Sequence, residues 1–132
     1  MPSIDPGARA LLEAPNFAHV ATLRQDGTIL NVPVWVDIEG DDVILNSAEG
    51  RAWPANLRRS GQITVTVSNS ENPYEFVSIT GSLAGEDKET ADDNIDALAK
   101  KYLGQDEYPF RQPGEERVKF IITPDRVYHH GG

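Results

Sequence analysis

A chain of 132 residues has the length of one domain and is long enough to bury a real core. It has no cysteine, which excludes disulfides, zinc–thiolate centres and thiol nucleophiles. A net charge of −9 argues against a nucleic-acid partner, and it leaves any anionic ligand to be held by local donors against the overall field.

The Met1–Asp5 region lacks the basic stretch and apolar run of a signal peptide. No segment approaches the roughly 20 apolar residues that span a bilayer, so the cytoplasm is the expected compartment. Asp5 is placed to cap a helix over Pro6 to Glu13, with Leu11 and Leu12 turned inward. Phe17 to Leu23 alternates as a strand, and Arg24-Gln25-Asp26-Gly27 ends in the Asp-Gly pair of a tight hairpin. Thr28 to Val36 is its partner. Glu39 to Asp42 then turns the chain into a third strand, Val43 to Asn46. A short helix follows Gly50, with Pro54 in its first turn and Arg58-Arg59 at its C-terminal end, before Ser60-Gly61 breaks it.

Gln62 to Ser68 is a strand rich in β-branched residues, and the loop Asn69 to Pro73 leads into another, Glu75 to Leu83. From about Lys88 to Tyr102, Ala91, Ile95, Leu98 and Tyr102 recur at helical spacing, while Asp92, Asp93, Asp96 and Lys100 point outward. Arg117 to Ile122 closes the set, with Val127-Tyr128 continuing it past Pro124. The pattern predicts a mainly β fold, a small barrel of six antiparallel strands with flanking helices. No repeat, linker or low-complexity tract divides it, so residues 1–132 form a single domain.

Side-chain chemistry is sparse. His19 sits inside an apolar strand and reads as a structural histidine. His129-His130 lie near the end of the sequence, where mobility is expected, and two histidines without a third ligand make a poor metal site. No metal is expected. There is no Gly-x-Ser-x-Gly elbow and no glycine-rich phosphate loop, so no catalytic residue can be named and any chemistry falls to a bound cofactor. Glu86-Asp87 and Asp92-Asp93 read as a solvated helix start. Arg51 stands apart. It follows Gly50 directly before a helix start, which puts a guanidinium beside free backbone N–H groups, with Asn56 close by. Arg58 and Arg59 read as surface charges at a helix end. Trp35 and Trp53 are either packing residues or ligand contacts; Tyr74 and Tyr108, each beside a proline, cover a barrel end or reach across a dimer interface.

The succession Phe17-x-x-Val20-Ala21-Thr22-Leu23-x-x-Asp26-Gly27, Val32-Pro33-Val34-Trp35 and Gly50-Arg51-Ala52-x-x-x-Asn56-Leu57-Arg58-Arg59 resembles the pyridoxamine 5'-phosphate oxidase-like split β-barrel flavoproteins. Within them it is most similar to the actinobacterial branch that uses the deazaflavin coenzyme F-420. Asn72-Pro73-Tyr74, Lys101-Tyr102-Leu103-Gly104, Tyr108-Pro109-Phe110-Arg111-Gln112-Pro113-Gly114-Glu115 and Arg117-Val118 match the same branch. The resemblance runs from about Leu11 to Val127 and rests on order and spacing. It implies a six-stranded split barrel, an obligate homodimer and two cofactor sites at the dimer interface. The implied reaction is hydride transfer between the reduced deazaflavin and a small unsaturated organic substrate. FMN is the alternative cofactor, and a non-catalytic cofactor- or ligand-binding dimer is the alternative function.

Carried over by position, Arg51, Ala52 and Asn56 match contacts to the cofactor's phosphate and tail, with Asn46, Ser47 and Ala48 on the strand end beside them. Val32, Pro33, Val34 and Trp35 match the strand whose main chain backs the cofactor ring. Trp53 stands where the family usually has a lysine, and offers a stacking face or an indole N–H instead. Ala55 replaces a frequent arginine, Val32 a threonine or serine, and Ile29 a proline. The first three of these departures each remove a polar or cationic group that would hold an anion.

Overall fold

The computed structural model describes residues 3–131. Helix α1 (Pro6–Glu13) begins at Asp5, whose Oδ1 accepts the Ala8 backbone N–H at 2.9 Å, and it buries Ala8, Leu11 and Leu12. Strands β1 (Ala18–Leu23) and β2 (Ile29–Val34) form the expected hairpin, with Gly27 at φ 89° in its turn. The chain continues through β3 (Asp37–Glu39) and β4 (Asp42–Ala48) into α2 (Ala52–Ser60), then β5 (Gln62–Ser68) and β6 (Phe76–Asp87). Helix α3 (Ala91–Leu103) and β7 (Arg117–His130) complete it.

The seven strands form one sheet in the order β2-β1-β5-β6-β7-β4-β3, and every pairing is antiparallel. The expected count was six. The additional strand is β3, three residues that pair with β4 between Asp37↔Ile44 and Glu39↔Asp42, too short to show an alternation of its own. β6 and β7 also run further than their sequence pattern, because two register shifts in their ladder, at Thr80/Gly81 and Leu83/Gly85, let the pair bend and keep going. The inward faces of β1, β4, β5, β6 and β7 share one core with Leu11, Leu12, Trp53 and Leu57 of the helices. The end strands β2 and β3 do not pair with each other, so the barrel is split. Helix α3 packs against β4 and β7.

Gly81 sits at the first register shift because the neighbouring strand comes too close for a side chain. A Cβ there would lie 2.5 Å from Ile122 Cγ2 and 2.9 Å from the Thr123 carbonyl oxygen. Backbone on one side leaves no room to relax, so Gly81→Ala is expected to cost about 1–3 kcal/mol, read as a lower denaturation midpoint. An unchanged midpoint would show that the β6–β7 bend has slack.

Two expectations change. β1 alternates buried and exposed positions, and His19 falls on the exposed side rather than in the core. His129 and His130 belong to β7, and the His129 ring is held between Asp5 at 3.1 Å and Glu75 at 3.1 Å. Both carboxylates sit below their ordinary pKa: for Asp5 the Ala8 backbone N–H contributes most, and for Glu75 the Asn69 amide. Among the described residues no helix is long and apolar enough to cross a membrane.

Candidate ligand-binding site

The split in the barrel creates two unpaired strand edges. β2 pairs only with β1, and β4 has no partner on its β3 side beyond Ile44. Pro33, Val34 and Trp35 at the end of the first edge, and Asn46 and Ser47 on the second, line one cavity of about 220 Å3. The start of α2 adds Arg51 and Trp53, α3 adds Ile95 and Leu98, and the segment after α3 adds Tyr108 and Phe110. Phe17 and Arg117 complete the wall.

Its aromatic side is built on a fixed plane. Trp35 stacks on Tyr102 with ring centroids 5.2 Å apart and planes 5° apart. Tyr108 meets Trp35 edge-on at 5.9 Å, and Phe110 meets Tyr108 edge-on at 5.7 Å. Tyr102 is anchored in turn: its hydroxyl donates to the Asn16 carbonyl at 2.6 Å and accepts the Val36 N–H at 3.1 Å. Burial pushes its pKa up to about 12, so it stays a donor. Beside it the Lys101 ammonium donates to the Leu12 and Val36 carbonyls at 2.5 and 2.6 Å, and burial lowers its pKa.

The polar side is a buried network. Arg117 Nε donates to Asn46 Oδ1 at 2.9 Å and Nη1 to Glu115 at 2.6 Å, both side chains of that ion pair being almost fully enclosed. Asn46 Nδ2 donates to the Ala91 carbonyl and to Asn94 Oδ1, each at 2.9 Å, tying the strand end to α3. Burial opposes ionisation of Glu115. The hydrogen bonds from Arg117 and the Gln112 N–H, with the charges of Arg117 and Arg51, outweigh it and hold the carboxyl below its ordinary pKa. The Arg117 guanidinium also lies 5.1 Å from the Tyr108 ring centroid.

Arg51 is the N-cap of α2, in extended backbone at φ −85° and ψ 156°, with no side-chain capping bond. Its guanidinium is exposed and makes no ion pair or hydrogen bond among the described residues. Among the described residues the charged ones lining the cavity are thus two arginines and no acid. Ser47 Oγ is buried without a hydrogen-bond partner among the described residues.

The pyridoxamine 5'-phosphate oxidase family matches residues 4–131, nearly the whole chain. The chain belongs to this family. An F-420 reductase superposes with a TM-score of 0.82 at 22% identity, covering 95% of this chain and 98% of that one. HupZ from Group A Streptococcus gives 0.68 at 20% identity, over 98% and 96% of the two chains. A conserved hypothetical protein from Mycobacterium tuberculosis gives 0.71 at 15% identity, over 98% and 84%. At these identities the likeness is one of fold. No curated protein matches the chain in sequence.

Of the positions that the family resemblance singled out, the cavity brings together Pro33, Val34, Trp35, Asn46, Ser47, Arg51 and Trp53. Val32 packs against the core from the neighbouring position, and Ala48 is buried in β4 without reaching the cavity. Ala52 and Asn56 lie elsewhere, on a shallow cleft with Arg24, Ala55 and Arg59. The Asn56 amide is already engaged, donating to Thr22 Oγ1 at 3.2 Å and accepting from Arg59 at 3.2 Å. Arg59 also donates to the Leu23 carbonyl, while Arg58 bridges Glu86 and Glu49 at 2.7 and 2.8 Å. These two arginines therefore hold α2 to the barrel.

Sequence reasoning passed over Phe17, Ile95, Leu98, Phe110 and Arg117 as cavity residues. Ile95 and Leu98 carried a core signal only. Tyr108 carried the one usable signal, an aromatic residue beside a proline in a loop.

Proposed function

We propose that this protein is a homodimeric oxidoreductase that binds a phosphorylated flavin-type cofactor, the deazaflavin F-420 or alternatively FMN, in the cavity between β2 and β4. It passes a hydride between that cofactor and a small unsaturated organic substrate. One observation carries the reading: in a chain of net charge −9, this cavity is walled by aromatic rings and, among the described residues, its only charged lining residues are Arg51 and Arg117. A planar ring with an anionic tail fits that combination. Trp35 and the unpaired edge of β2 would back the ring, Arg51 would take the phosphate, and the cofactor would supply the hydride chemistry. Fold likeness to an F-420 reductase supports the first cofactor.

The dimer is supported by the cavity's size. About 220 Å3 falls below the ~300–1,000 Å3 of a complete small-molecule site, which fits a wall that a second chain would complete. Leu23, Ile29 and Phe17 are exposed on the β1–β2 side, where such a chain would cover them. Sedimentation at micromolar concentration is expected to show two chains; a monomer would remove the shared site.

Titration with FMN and with F-420 tests the cofactor directly. Arg51→Ala is expected to weaken binding by about 1.5–3 kcal/mol, roughly tenfold to hundredfold, through loss of a charge-assisted contact. The melting temperature should hold, because Arg51 is exposed and its side chain bonds to nothing else among the described residues. Unchanged affinity would move the phosphate away from Arg51. The second reading, a dimer that binds a cofactor without turnover, is favoured by Trp53: it lies in the core, so the cation usual at that position is not supplied. Binding of reduced deazaflavin with no oxidation by any unsaturated acceptor would support it.

A further inference from the structure

We propose that Lys101 and Tyr102, consecutive residues in the last turn of α3, are positioning residues for the cavity. They set its affinity for a flat ring by holding Trp35 and Phe17 in place, although neither is among the lining residues. This rests on reading the cavity as the cofactor site. Trp35 and Val36 lie between β2 and β3, where the sheet ladders stop. Val36 is fully buried, so its peptide groups need partners that the sheet does not supply. The end of α3 supplies both: the Tyr102 hydroxyl accepts the Val36 N–H at 3.1 Å, and the Lys101 ammonium donates to the Val36 carbonyl at 2.6 Å. The Tyr102 ring stacks on Trp35 itself, with planes 5° apart. Trp35 is therefore held through its ring and through the residue that follows it.

The same pair reaches a second lining residue. Tyr102 donates to the Asn16 carbonyl at 2.6 Å and Lys101 to the Leu12 carbonyl at 2.5 Å, which ties the end of α1 and the segment before Phe17 to α3. The Phe17 ring lies 5.6 Å from that of Tyr102. A ligand ring gains most from a wall already in its bound arrangement. A side chain left free to turn must be ordered again when the ligand arrives, and that cost is subtracted from affinity. Without the Tyr102 hydroxyl the buried Val36 N–H must shift to find another acceptor, and Trp35 shifts with it.

The test is titration of the whole protein with F-420 and with FMN, the ring–ribitol fragment of F-420 and riboflavin serving as the same rings without phosphate. Tyr102→Phe keeps the stacked ring and removes the hydroxyl; Lys101→Met keeps an apolar stem and removes the ammonium. Each is expected to weaken the cofactor that binds and its phosphate-free ring by one and the same factor, about threefold to tenfold. Arg51→Ala should weaken the phosphorylated form alone. Both positioning variants also lose stability, so Gly81→Ala serves as the control: its clash lies away from the cavity lining, and it should bind as the unaltered protein does. If Tyr102→Phe fails to fold, Lys101→Met decides the matter by itself. Affinity that survives both substitutions, a loss confined to the phosphorylated form, or an equal loss in Gly81→Ala overturns the positioning role. The two failures are distinguishable. No binding of any of the four molecules by the unaltered protein removes the cofactor reading and this inference together, whereas binding that ignores Lys101 and Tyr102 removes this inference alone.

Discussion

Arg117→Met is expected to destabilise the fold by about 3–5 kcal/mol, the cost of leaving one member of a buried ion pair uncompensated. Glu115 would lose its 2.6 Å partner in an enclosed site, and Asn46 Oδ1 would lose its donor. The loss has a pH signature. In the native protein the Glu115 pKa is depressed, so its contribution is present above the ordinary carboxylate value and disappears as pH falls through the lower folded value. In Arg117→Met burial is opposed only by the Gln112 N–H and the Arg51 charge, so that pKa rises relative to the native protein and the stability gap between the two proteins should narrow as the solution is acidified toward neutralisation of Glu115. The double variant Arg117→Met/Glu115→Gln removes the stranded charge and should recover most of the loss. Chemical denaturation at two pH values checks all of this, and a loss below 1 kcal/mol would mean that the corner admits water freely.

Trp53→Lys is expected to lower stability by about 3–5 kcal/mol and to leave cofactor affinity unimproved, as for truncation of a large core side chain. The substitution restores the residue usual at this position in the family, and from sequence alone a gain in anion binding is the natural expectation. The structure reverses it. Trp53 is 6% exposed, part of the common core, with its ring 5.3 Å from that of Phe120. A lysine there either buries an ammonium against Phe120 or leaves a void as it extends to water. Binding and melting measured on one sample separate the two outcomes, and tighter binding at unchanged stability would show that the ring is dispensable.

Helices and turns were legible because their signals are local. Asp5 reaches Ala8 three residues on, and Gly61 ends α2 in left-handed backbone at φ 75° with its N–H on Leu57. The Asp-Gly hairpin needed only its own turn. β3 was not legible, since three residues carry no period and exist as a strand only because β4 lies beside them. His19 misled for a related reason: its apolar neighbours alternate across a sheet, and which side is inside depends on the other strands.

The sequence by itself determined a mainly β fold, the Asp5 cap of its first helix, its principal strands and, through Gly50-Arg51, a cation directly before a helix start. Only the tertiary structure decided that Arg117 joins that cation, because its hydrogen bond to Asn46 spans 71 positions and its pairing with Glu115 matters only once both are enclosed. It also turned Trp53 into the core and Asn56 toward Thr22 and Arg59. Local conformation follows from a residue and its near neighbours, whereas desolvation is set by whatever the rest of the chain packs around it. That is why the arginine before α2 was readable and the arginine that opens β7 was not.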